Sequence, residues 1–216
     1  EQSLAAINQE LRRYPTVFTS NYDLLNYWAV QQDSQGIDDL FHGADPAFEL
    51  GSAPSAPTRI LYLHGGLHLV RNLDGSARKL TSTEGTLLGS FAINNTLKTL
   101  DDVPLFVSEG PLADKLKTIR SSDYLSFCYQ QLLDHSGALC IFGHNLGPQD
   151  SHLVQAIRQS APQTLAISIY PRSAAFIQHQ KRHYAKLFEG LDLSLRFFDS
   201  KTHALGNPAL SVPVER

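Results

Sequence analysis

Three segments of the chain end an apolar run abruptly in a polar cluster: VFTSNYD at 17–23, ILYLHGG at 60–66 and CIFGHNLGPQD at 140–150. If each run is a strand of a parallel sheet, the clusters gather at the carboxyl ends of the strands, where open α/β sheets bind their ligands. The first cluster supplies Thr19, Ser20, Asn21 and Asp23, the second His64 and Gly65, and the third Gly143, Asn145 and Asp150. The groups on offer are neutral amides, an imidazole and carboxylates, with no activated Ser or Cys among them. That set suits positioning and general-base work on a substrate that already carries a good leaving group. Each cluster also has a plainer local explanation. Asp23 is suited to cap a helix beginning at Leu24, and His64 before Gly65 is suited to a hydrogen-bonded turn.

The elements that carry these clusters alternate β-branched or aromatic runs with segments of helical period, which predicts a layered α/β fold with a mainly parallel sheet. Strands are expected at Thr16 to Thr19, Arg59 to Leu63, Pro104 to Val107, Ala138 to Phe142, Thr164 to Tyr170 and Leu193 to Phe198. Helices are expected at Ser3 to Arg13, Asp23 to Gln32, Asp123 to His135, Asp150 to Gln159 and Ser173 to Phe188. In the second helix Leu24, Leu25, Tyr27 and Trp28 are expected to share a face. The turn-forming NLDG between Leu67–Val70 and Ala77–Thr81 predicts a hairpin, and GSAPSAP at 51–57 reads as a surface loop.

Length and composition set the frame. With 216 residues and 42% hydrophobic content the chain is expected to form one domain over 1–216, with 66–122 as an insert or small subdomain. A net charge of −3, spread along the sequence, offers no basic face to nucleic acid or anionic lipid. Cys128 and Cys140 each lie in an apolar run and read as buried small hydrophobes, without a disulfide framework or a CxxC zinc site. His64 and His68, like His179 and His183, mimic metal-ligand spacing but lack the acidic partner of a metallopeptidase helix, so no metal is expected. With no signal peptide or membrane-spanning apolar run in the sequence, a cytoplasmic protein is expected.

TSNYD after VF, YLHG after an apolar strand, SDYLSF opening a helix and FGHNLGPQD after a further strand occur in the order used by bacterial sirtuin-like domains. The resemblance runs from Thr16 to Ile169. It implies a Rossmann-like three-layer domain that binds NAD and hydrolyses its nicotinamide–ribose bond, an activity some such domains use in antiphage defence. Asn21 and His64 match the catalytic pair, and Asp23 matches the residue at the nicotinamide end. Thr19, Ser20 and Gly65 flank them as cofactor-binding positions, while Gly143, Asn145 and Asp150 match the element bordering the adenosine-side ribose. Asn145 stands where the family usually carries a small hydroxyl. The family's Gly-rich pyrophosphate loop precedes NYD and is not found in these residues, so the domain is expected either to be N-terminally incomplete, with that loop upstream of Glu1, or to hold no dinucleotide in the usual way. The implied partner is NAD or a related nucleotide, with a homo-oligomer also compatible. A non-catalytic nucleotide-sensing module of the same fold is the alternative. LHGG and FGHNLG also resemble the oxyanion element and nucleophile elbow of α/β-hydrolases, with His203 downstream. Asn145 cannot serve as that nucleophile, which leaves an inactive hydrolase relative as the lesser alternative.

Overall fold

A computed structural model describes residues 2–43, 46–51, 55–80 and 103–210. The protein is α/β, and its described residues form six α-helices, two three-stranded parallel sheets and one five-stranded antiparallel sheet. The chain divides into two compact units, Glu1–Tyr129 and Gln130–Arg216. No helix among the described residues is long and apolar enough to cross a membrane.

In the first unit the parallel sheet has the order β1 (Thr16–Thr19), β5 (Thr58–Tyr62), β2 (Ile37–Asp38). The central strand β5 buries Ile60, Leu61 and Tyr62 completely or nearly so, the pattern of a strand covered on both faces. Helices α1 (Gln2–Leu11) and α2 (Leu25–Gln32) dock through the buried Asn8, whose amide donates to the carbonyls of Ala29 and Asp33. The face of α2 differs from the sequence expectation. Tyr27, Ala29 and Val30 are buried, whereas Leu25 and Trp28 are 42% and 38% exposed. With 3.6 residues per turn, Tyr27 and Val30 share a stripe that points away from Leu25 and Trp28.

The antiparallel sheet runs β3 (Phe41–His42), β4 (Ala47–Phe48), β7 (Ala77–Lys79), β6 (Gly65–Arg71), β8 (Val103–Phe106). The expected hairpin is there, with Val70 opposite Arg78 and a turn in which Gly75 adopts φ +92°. Thr81 and the rest of 81–102, within the expected insert, lie outside the described residues, as do 52–54 of the surface loop. Among the described residues a single mainly parallel sheet is therefore not what forms, because β3, β4, β6, β7 and β8 pair antiparallel in a sheet of their own, with the NLDG turn returning β7 alongside β6. Helix α3 (Leu112–Arg120) was not evident in the sequence. Its buried stripe includes Lys115, which is 3% exposed and lies 3.7 Å from Glu109, so a charged residue occupies a position that periodicity reserves for an apolar one.

Helix α4 (Asp123–Leu133) contains the division between the units. In the second unit β9 (Ala138–Ile141), β10 (Thr164–Ile169) and β11 (Ser194–Asp199) form a parallel sheet with β10 central. They are joined by α5 (Ser151–Ser160) and α6 (Ala174–Leu187), the latter capped by Ser173 Oγ, which accepts from the Phe176 N–H. Leu165 and Ile167 are fully buried at its centre.

Cys140 corrects the expectation of two buried thiols, because on β9 residues 138 and 140 point to the exposed side while Ile141 is buried. Cys128 is fully buried, and burial pushes its thiol up to about 12. A disulfide reagent at pH 8 is therefore expected to modify one thiol of the native protein, Cys140, and both after unfolding in urea. Peptide mapping of the modified native protein checks the assignment; rapid native labelling of Cys128 would contradict it.

Candidate functional site

Strands β1 and β5 pair in parallel with Thr19 opposite Tyr62, so Asn21 and His64 each lie two residues beyond the last matched pair. The Leu63 N–H donates to the Thr19 carbonyl at 2.8 Å, extending the pairing toward them. Past His64 the chain turns at Gly65 and folds over the NYD loop, where the Leu67 N–H donates to the Tyr22 carbonyl at 2.9 Å. His64 is buried, and its carbonyl accepts from the Val107 N–H at 2.8 Å. The first two sequence clusters thus meet at one end of one parallel pair.

The NYD loop is internally bonded. The Asn21 amide donates to one Asp23 carboxylate oxygen at 3.0 Å, and the other accepts from the Leu25 N–H at 2.8 Å. The helix begins at Leu25 with Leu24 as its N-cap, so Asp23 stands one residue before the capping position expected for it; its bond to the Leu25 N–H closes an Asx-type turn ahead of the helix, and it also holds the Asn21 side chain. Thr19, which is buried, accepts through Oγ1 from the Asn21 N–H at 3.1 Å and from the Asn26 side-chain amide at 2.9 Å. Ser20, half-buried, bridges Thr19 to Asn21 along the chain.

Gly65 carries a steric requirement. Its φ is +69°, and a Cβ there would lie 2.1 Å from the Leu105 carbonyl oxygen. That oxygen belongs to the backbone of β8 and cannot swing aside. Gly65→Ala is expected to cost about 3 kcal/mol through left-handed strain plus displacement of β8. Urea unfolding of the variant measures it, and a loss under about 1 kcal/mol would show that the turn relaxes freely.

His68 on β6 is 0% exposed, and neither of its ring nitrogens has a hydrogen-bond partner among the described residues. Its ring packs 4.9 Å from that of Tyr27 and 4.7 Å from that of Tyr62. Burial, assisted by the positive charge of Lys79, lowers its pKa to about 3, so the imidazole is neutral. Lys79 itself is paired with Asp39 at 2.6 Å in a nearly buried ion pair. The periodicity of β6 could have flagged His68 as inward-facing, but not its aromatic surroundings.

The third cluster forms its own structure in the second unit. Gly143, at φ +71°, donates its N–H to Ser168 Oγ at 3.1 Å, tying the end of β9 to β10. Asn145 turns its side-chain oxygen onto its own loop, accepting from the Gly147 N–H at 3.2 Å, while its backbone carbonyl lies 3.0 Å from His183 Nε2. The Tyr184 hydroxyl donates to the His144 carbonyl at 2.9 Å. His144 lies 3.8 Å from the buried Asp150 carboxylate, which precedes α5. Beside this loop is a cavity of about 390 Å³ whose lining includes Leu146, Pro148, Ser151, Val154, Gln155 and His183. His203 packs its ring 4.7 Å from Phe142, and its Nδ1 accepts from the Leu205 N–H. Ser168, His183 and Tyr184 come from elements far along the chain, and no local motif identifies them.

A family model described as a domain of unknown function (DUF4917) matches residues 1–205. No curated protein matches the chain.

Proposed function

Because the chain belongs to the family described as a domain of unknown function (DUF4917), its activity must be argued from the site, and we propose that it hydrolyses the nicotinamide–ribose bond of NAD. The observation that carries this reading is the equivalent placement of Asn21 and His64 beyond adjacent parallel strands, with Asn21 held in one orientation by Asp23. An amide held just past one strand and an imidazole just past its parallel neighbour suit a reaction whose leaving group is already good, since nicotinamide departs as a neutral molecule. The parallel pairing of β1 with β5 accords with this reading, as does the motif order along the chain, which resembles that of sirtuin-like domains.

In the reaction proposed, the bond from ribose C1′ to the nicotinamide nitrogen breaks with its electron pair going to nicotinamide, leaving an oxocarbenium-like ribose. Water forms the new C1′–O bond and loses a proton. Asn21 orients the ribose and the attacking water, and His64 takes the proton. Asp23 acts through Asn21, since its two oxygens bond the Asn21 amide and the Leu25 N–H. Gly65 lets the chain turn directly after His64 at positive φ. Within the second unit, Ser168 and His183 hold the loop that carries Gly143 and Asn145.

The test is chromatographic. The full-length protein incubated with NAD is expected to release nicotinamide and ADP-ribose in equal amounts. Binding of NAD without release would overturn hydrolysis in favour of a nucleotide-sensing module, and failure to bind NAD would overturn both.

A further inference from the structure

We infer that Asn26 is a positioning residue that makes Thr19 a donor-only hydroxyl, offered to an oxygen acceptor on the nicotinamide riboside half of the substrate. This inference rests on the NAD-cleaving reading above. A hydroxyl has two acceptor lone pairs and one proton to give. Two donors converge on Thr19 Oγ1, the Asn21 N–H at 3.1 Å and the Asn26 amide at 2.9 Å, which fill both lone pairs. Among the described residues no acceptor takes the Thr19 proton. Thr19 is only 7% exposed, and buried hydroxyls rarely leave a proton unshared, so the acceptor arrives with the ligand.

The elements explain why Asn26 does this. Thr19 ends β1, and Asn26 is the second residue of α2, so their bond closes the loop carrying Asn21 and Asp23. Asp23 accepts from the N–H of Leu25, the first residue of the same helix. Strand end, loop and helix start are held by side chains of three neighbouring residues. A site that presents only a donor at Thr19 favours a carbonyl or ether oxygen and disfavours an N–H or O–H group that must itself donate.

Four variants test this: Thr19→Val, Thr19→Ser, Asn26→Asp and the double variant Asn26→Asp/Thr19→Val. Thr19→Val keeps the shape but removes the hydroxyl, and kcat for nicotinamide release is expected to fall ten- to a hundredfold with KM changed less than threefold. Thr19→Ser restores kcat to within threefold of wild type. Asn26→Asp replaces the donor by a carboxylate that consumes the Thr19 proton, so it falls as far as Thr19→Val, and the double variant falls no further. Asn26→Asp with wild-type kcat would overturn the inference. Hydrogen exchange supplies a readout that needs no turnover: Thr19→Val is expected to speed exchange of the Asn21 backbone amide and the Asn26 side-chain amide at least tenfold. Unchanged exchange of both would overturn the relay even in an active enzyme. If the wild type binds NAD without cleaving it, hydrolysis fails separately. NAD affinity then replaces kcat, with a tenfold weakening expected in Thr19→Val and none in Thr19→Ser; equal affinity in both variants would overturn the donor role.

Discussion

His64→Ala is expected to slow nicotinamide release from NAD by about a hundred- to ten-thousand-fold, the usual loss when a general base is removed. Asn21→Ala should fall by a similar factor, because the amide that orients ribose and water is lost and the Asp23 carboxylate is left without one of its two partners. The two variants separate in stability. Asn21 is exposed, so its loss should leave the unfolding midpoint nearly unchanged, whereas His64 is 5% exposed and its truncation opens space beside β6. Single-turnover release and a thermal melt of each variant distinguish lost chemistry from lost fold. Full activity in His64→Ala with an intact melt would remove the base role, and the same result in Asn21→Ala would remove the orienting role.

The second large effect concerns acid. The unfolded chain protonates His68 near its ordinary value of 6.5, whereas the folded protein refuses that proton down to about 3. The folded pKa is the lower one, so the unfolded state binds more protons throughout this window. Stability is complete above pH 6.5 and falls as pH falls, by up to about 1.4 kcal/mol per pH unit. His68→Phe keeps a ring between Tyr27 and Tyr62 and removes the titration. Its unfolding free energy is expected to be flatter than the wild type's between pH 6.5 and 4, measured in urea. Every other residue is the same in both proteins, so the difference between the two curves isolates His68. Identical slopes would show that the ring is hydrated or protonated in the folded state. Because Tyr27 belongs to α2 and Tyr62 ends β5, opening this packing would loosen both elements that position Asn21 and His64.

Residues 16–23 and 58–66 were legible without a structure. Thr16–Thr19 and Thr58–Tyr62 are short, β-branched or apolar, and bounded by polar clusters, so local propensity and burial point the same way. The same holds for β9, β10 and β11 and for the helices between them. What misled was any feature with two local solutions. Leu25 and Trp28 looked as apolar as Tyr27 and Val30, and only the packing of Tyr27 against Val70, Leu80 and the His68 ring decided which stripe is covered. Cys140 sits in an apolar run, yet alternation along β9 places it on the exposed side.

The sequence by itself determined that this is an α/β protein, where most of its strands and helices lie, and that polar residues cluster directly after three of the strands. These are consequences of hydrophobic period, turn chemistry and capping, which act over a few residues. Only the tertiary structure decided that β1 and β5 are adjacent, that the strands divide among three sheets, and that Thr19 is bonded by Asn26 and Asn21 together. It also decided that His68 is enclosed by Tyr27 and Tyr62. Each of these depends on groups brought together by strand pairing and side-chain packing, and the free energy of such contacts lies in the folded ensemble rather than in any local run of residues.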